Sequence, residues 1–165
     1  MGKGSISRRI GHLKSSLLIA KRLAPVRLVL CASPAYLKQH GTPERPEDLG
    51  NHRYLHYSYM DAAHTVQKWL QGSGRENTRE MISNNGDVLI EAAIAGAGIA
   101  LQPTFIAGAA IREGKLEVVL PEHEPEPMAL YAVYAHRQLL ASKVRGFTDF
   151  IDGFFGEPPY WDRFA

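Results

Sequence analysis

The chain has 165 residues, 45% of them hydrophobic and 22% charged, enough for one globular unit or two small lobes with a real core. No apolar run approaches the roughly 20 residues of a membrane-spanning helix, and the basic N-terminus lacks the apolar region and cleavage site of a signal peptide. The formal net charge of +2 hides an asymmetry: eight Lys/Arg and no acid precede Glu44, against 17 acidic and 11 basic residues from Glu44 onward.

In chain order, residues 17–20 and 26–32 read as strands. Lys21, Arg22 and Arg27 alternate with Leu23, Val26, Leu28 and Leu30, as on the solvent face of a strand-bearing segment. No zinc spacing, helix-turn-helix pattern or aromatic-basic interleaving accompanies these charges, so direct nucleic-acid binding is not expected. Cys31 is the one cysteine, which excludes an internal disulfide and fits a reducing cytoplasm. Ser33-Pro34 opens a helix through His40, ended by Gly41-Thr42-Pro43, and residues 46–50 form a turn or short helical loop. Residues 53–58 alternate like a strand. Residues 66–71 and 79–82 look like a pair of strands joined by the Gly72-Ser73-Gly74 turn.

The stretch from Asn84 to Pro103 is the most informative. Asn84, Asn85 or Asp87 can cap a helix whose apolar residues Val88, Leu89, Ala92, Ala93 and Gly96 recur at helical spacing. Gly96 or Gly98 stops it, Ile99-Ala100-Leu101 is a buried strand, and Pro103 closes that strand by removing a donor. A second helix spans residues 105–112, a strand 116–120, an acidic Pro-rich loop 121–127 and a strong strand 128–135. The last helix, residues 142–155, carries Val144, Phe147, Phe150, Ile151 and Phe154 on one face.

Alternating strands and helices argue for an α/β fold with a mainly parallel sheet. Ligands then gather at the carboxyl ends of strands, which points to Ser33-Pro34, Tyr57-Ser58, Ser83 to Gly86 and Gln102-Pro103 as a rim. Free N–H groups of a helix behind a polar turn suit anionic or polar ligand atoms.

No catalytic, cofactor or metal site is expected. His52 and His56 lie far apart along one strand face, and Cys31 reads as a small buried hydrophobe. No nucleophile elbow, phosphate-cradling loop or paired carboxylates occur, and Gly96-x-Gly98 follows a helix, the wrong order for a dinucleotide. The chain reads as no enzyme.

Longer motifs are more specific in combination. Arg9-Ile10-Gly11-His12-Leu13, the run from Leu23 to Leu37, Pro46-Glu47-Asp48-Leu49 and Asn84-Asn85-Gly86-Asp87 resemble the effector-binding domain of LysR-type transcriptional regulators. So do Gly96-x-Gly98-Ile99-Ala100-Leu101-x-Pro103, Val144-Arg145-x-Phe147-x-Asp149-Phe150 and the tail around Trp161.

The resemblance implies a type 2 periplasmic-binding-protein-like fold of two α/β lobes joined by crossing strands, with an inducer between them. It places residues 1–8 outside the match and 34–130 in a complete lobe two. Residues 9–33 and 131–157 become the crossing strands and a partial lobe one, and 158–165 a tail. The DNA-binding winged helix and about half of lobe one are expected to lie outside this chain. From the resemblance, Ser83, Asn84, Asn85 and Gly86 line the cleft, with Tyr57, Ser58, Gln102 and Pro103 beside them and Ser33 at the hinge. The implied partner is a small anionic or polar effector, bound by a cytoplasmic homo-oligomer with no membrane contact. A free-standing solute-binding protein of the same fold is the other reading.

Overall fold

The computed structural model describes residues 6–10, 18–58, 66, 68, 69, 79–135 and 142–164. The chain opens with strands β1 (Ile6–Ile10), β2 (Leu18–Val26) and β3 (Leu28–Ala32), then helix α1 (Pro34–His40) and a 3-10 turn (Pro46–Asn51). Strands β4 (Tyr54–Tyr57) and β5 (Arg79–Ser83) precede helix α2 (Gly86–Ile94), strand β6 (Ile99–Pro103) and helix α3 (Thr104–Arg112). Strand β7 (Glu117–Val119), a 3-10 turn (Pro121–His123), strand β8 (Met128–Ala135), helix α4 (Ser142–Phe155) and a 3-10 turn (Tyr160–Asp162) complete it.

All five residues of β3, Leu-Val-Leu-Cys-Ala, are buried. Successive strand side chains point to opposite faces, so a strand apolar throughout must be covered on both. β3 accordingly lies inside a five-stranded sheet of order β5-β4-β6-β3-β7. Leu28, Leu30 and Ala32 face α1 through Tyr36 and Leu37, together with Leu49, Tyr54, Ile99 and Leu101. Val29 and Cys31 face α2 and α3 through Leu89, Ala93, Ala107 and Ala110.

The sheet is mixed rather than mainly parallel. β4 pairs in parallel with β5 and β6, whereas β3 is antiparallel to both β6 and β7. The helical crossovers β5-α2-β6-α3-β7 link strands of one direction, as the alternation of elements predicts. β3 breaks the pattern because it enters directly from the second sheet. That sheet, of order β1-β8-β2, is antiparallel throughout.

β2 runs on to Val26 although residues 21–25 carry charges and a proline, because β8 pairs along its length from Leu18↔Ala135 to Val26↔Met128. A register shift between Arg22 and Ala24 absorbs the irregularity, and Pro25 is tolerated on an edge strand. The strand expected over 26–32 therefore splits at Arg27. The strand expected over 66–71 is also corrected: Val66, Lys68 and Trp69 are helical, and β5 pairs with β4 instead. The Gly72-Ser73-Gly74 turn lies outside the described residues.

α4 leaves Phe147, Phe150 and Phe154 exposed, Ile151 partly buried and Phe155 buried. Phe155 packs with Trp161, Leu23, Ala24 and Ala132 in a small cluster on the second sheet. The side chain of Val144 lies outside the described residues. At the junction of the sheets, the Arg27 guanidinium donates to both Glu124 oxygens at 2.6 Å, and its backbone oxygen accepts the Thr104 N–H at 3.0 Å. The hydrogen bond to Glu124 holds Arg27 more firmly protonated than usual.

Candidate functional site

The directions of the strands decide which predicted rim residues meet. β4, β5 and β6 run together, so Tyr57, Ser83 and Gln102 end on one edge of the sheet. Ser58 N–H donates to the Ser83 carbonyl at 2.9 Å, tying the ends of β4 and β5 together. The Ser83 hydroxyl accepts the Asn85 N–H at 3.0 Å and shapes the turn into α2.

Asn85 is the cap: its Oδ1 accepts the N–H groups of Asp87 at 3.0 Å and Val88 at 3.5 Å. At the other end the Gly96 N–H donates to Ala93 O and the Ala97 N–H to Ala92 O, with Gly96 at φ +83°. This paired closure favours glycine because side chains with a Cβ rarely adopt a left-handed backbone. The buried face of α2 is Gly86, Leu89, Ile90 and Ala93; Val88, one of the apolar residues at helical spacing, is exposed.

A cleft of about 570 Å³ opens at this edge, lined by Tyr57, Asn84, Asn85, Gly86, Asp87, Phe105 and Ile106. Tyr57, Asn84, Asn85 and Gly86 are thus brought together, with Ser58 and Ser83 hydrogen-bonded just behind. Gln102 lies fully buried under Gly86: a Cβ placed on Gly86 would stand 2.9 Å from Gln102 Oε1 and 2.7 Å from Ile106 Cδ1. Pro103 is buried at the N-cap of α3, where it ends β6 and turns the chain into the next helix. The helix begins at Thr104, one residue before its expected start.

Ser33 is not part of this cleft. Because β3 runs against β6, with Cys31 opposite Ala100 and Val29 opposite Gln102, its carboxyl end reaches the other edge of the sheet. There the Ser33 hydroxyl caps α1 by accepting the Tyr36 N–H at 3.2 Å. Phe105 and Ile106 are lining residues that sequence reading missed. Their signal was positional: they form the first turn of the helix that follows a strand ending on the rim.

Away from the cleft, Cys31 and His52 are held in the core. The Cys31 thiol is buried and its pKa pushed up to about 12 by loss of solvent. His52 sits against the Tyr36 hydroxyl, 3.2 Å from Nδ1, and burial holds its pKa below the usual value. Tyr36 O also accepts the Arg53 N–H at 3.0 Å, so its own proton is free to go to a neutral His52. His52 precedes β4 rather than lying on it. Among the described residues no three His, Cys, Asp or Glu side chains are placed to hold a metal, and no helix is long and apolar enough to cross a membrane.

A cleft at the carboxyl edge of parallel strands, walled by helix N-termini, is where α/β proteins hold small molecules. The chain belongs to the LysR substrate binding domain family, whose profile matches residues 7–155. It is 33% identical over 156 residues to the HTH-type transcriptional activator AaeR of Escherichia coli strain K12, covering 90% of this chain and 49% of that protein. The HTH-type transcriptional regulator DmlR of the same strain is 33% identical over 152 residues, with 90% and 49% covered. The chain thus spans about half the length of the curated relatives it matches. Among solved structures, the regulatory domain of CrgA from Neisseria meningitidis aligns with a TM-score of 0.73 at 28% identity, covering 92% of this chain and 75% of that one. The regulatory domain of AphB from Vibrio vulnificus aligns at 0.68 and 28%, covering 90% and 75%.

Proposed function

We propose that this chain is the effector-sensing part of a cytoplasmic LysR-type transcriptional regulator and that the cleft between α2 and α3 forms the lobe-two side of its ligand site. The carrying observation is the convergence of Tyr57, the Asn84–Asp87 turn, Phe105 and Ile106 on one cleft of about 570 Å³. A small polar effector filling it would stabilise the fold by RT ln(1 + [L]/Kd), about 2.7 kcal/mol at a hundredfold excess over Kd. A thermal-shift screen of small metabolites reads this directly. Responses that vanish when Tyr57 and Phe105 are both changed to Ala support the site; responses untouched by that change place the ligand elsewhere.

The relatives named as transcriptional regulators favour this reading over a free-standing solute-binding protein, and over an enzyme. DNA contact is assigned to a separate winged helix of the parent regulator, and the working unit to a homo-oligomer. A sequence-specific operator shift by these 165 residues alone at physiological salt would overturn the division of labour. A stable monomer by light scattering at high concentration would overturn the assembly.

A further inference from the structure

The Gln102 side chain is fully buried, and neither its Nε2 nor its Oε1 has a hydrogen-bond partner among the described residues. A buried amide left unmet at both atoms is costly, and its neighbours on β6, Ala100 and Leu101, show that an apolar residue suits this strand. Its position gives the reason. Gly86 and Ile106 line the cleft, and Gln102 Oε1 stands 2.9 Å from the point where a Gly86 Cβ would be. The absent Gly86 side chain leaves the amide one layer behind the cleft floor. The flexible tip of Ile106, 2.7 Å from the same point, stands beside it.

The rest of the floor does not call for an anion. Asn85 already takes the Asp87 and Val88 N–H groups, and the Asp87 carboxylate in the first turn answers the positive end of α2. The buried amide behind that floor is a neutral group offering one acceptor and an NH₂ donor side by side.

Resting on the reading of the cleft as a ligand site, we propose that Gln102 selects its ligand. The selected class is a neutral molecule with adjacent hydrogen-bond donor and acceptor, as on a primary carboxamide or lactam edge, borne on a planar apolar body. The body lies against Tyr57 and Phe105, and the Ile106 tip turns aside to let the polar edge reach the amide.

The test uses the full chain, ¹⁵N-labelled and titrated with benzamide, benzoate and acetophenone. Benzamide is expected to shift the Gln102 side-chain amide and the Gly86 resonance and to bind about tenfold more tightly than either of the others. Gln102→Leu should lose about tenfold in benzamide affinity while raising the thermal midpoint of the free protein, since it removes an unmet buried amide. Benzoate binding as tightly as benzamide, a Gln102→Leu variant with unchanged affinity, or a lowered midpoint in that variant each overturns the proposal. Benzoate-preferring shifts at Tyr57 and Gly86 sink the role of Gln102 alone and leave the cleft as a ligand site. Silence at Tyr57, Gly86 and Phe105 with all three probes sinks both.

Discussion

Among the described residues, the two sheets are held by very different amounts of core. The five-stranded sheet is covered on both faces, by clusters of fourteen and ten buried residues among those described. The three-stranded sheet has, among the described residues, a cluster of five, Leu23, Ala24, Ala132, Phe155 and Trp161, and the helix beside it turns Phe147, Phe150 and Phe154 to solvent. Burial of each large apolar side chain stabilises by about 1.5–3 kcal/mol, so among the described residues the larger sheet gains more from burial. The smaller one depends on its seam with the larger at Val26, Met128 and Arg27. The cleft is built wholly on the well-covered sheet, which gives its floor a rigid base.

Paired truncations test this difference most severely. Leu55→Ala, in the fully buried centre of the large sheet, is expected to lower the unfolding free energy by about 2–5 kcal/mol in urea titrations. Leu23→Ala, at the edge of the small cluster, should lower it by about 2 kcal/mol or less, because its surroundings can collapse. Equal losses would mean that the two sheets share one core. Asn85→Ala removes the cap of α2 and should reduce stability by about 1 kcal/mol, with faster amide exchange confined to the first turn of that helix.

Arg27→Met keeps the apolar stem but cuts the paired hydrogen bonds to Glu124 across the seam. A loss of about 1 kcal/mol is expected, modest because the guanidinium is part-exposed, together with earlier exchange of β2 and β8 amides than of β3. Simultaneous exchange of all three strands would show that the sheets still open as one unit without these hydrogen bonds.

The smallest expected effect is on pH. Burial, then the nearby His40, lowers the His52 pKa below its unfolded value near 6.5. The unfolded chain therefore takes up a proton first on acidification. The stabilising contribution is complete above the unfolded pKa and is lost as pH falls through the folded one. His52→Phe should flatten the stability profile in that window, and a profile unchanged by the substitution would mean His52 titrates normally.

Much of this architecture was legible in the sequence because it is written locally. The Ser33-Pro34 helix start, a cap among Asn84, Asn85 and Asp87, a stop at Gly96 or Gly98 and the apolar strands β3 and β6 follow from residues within a few positions of one another. What escaped depends on distant partners. Nothing near β3 states that it runs against β6, yet that one reversal removes Ser33 from the cleft. The strand character of residues 21–25 comes from β8, a hundred residues away on the chain, and Val66 and Trp69 fit a helix as well as a strand by hydropathy alone. Phe105 and Ile106 went unnoticed because an apolar pair opening a helix reads as core until the edge it faces is known.

The aromatic ring of Phe105 meets two environments at once. It lines the cleft, and its centroid stands 6.3 Å from that of Trp161 in an edge-on arrangement, within the tail that packs on α3. The chain has two tryptophans, Trp69 and Trp161, so Trp69→Phe leaves one indole as the emitter. That indole is buried between Phe105, Phe155 and Tyr160. The protein thus carries its own optical gauge: occupancy of the cleft should change the emission of Trp161 without any added dye, and Phe105→Leu should silence that ligand-dependent change.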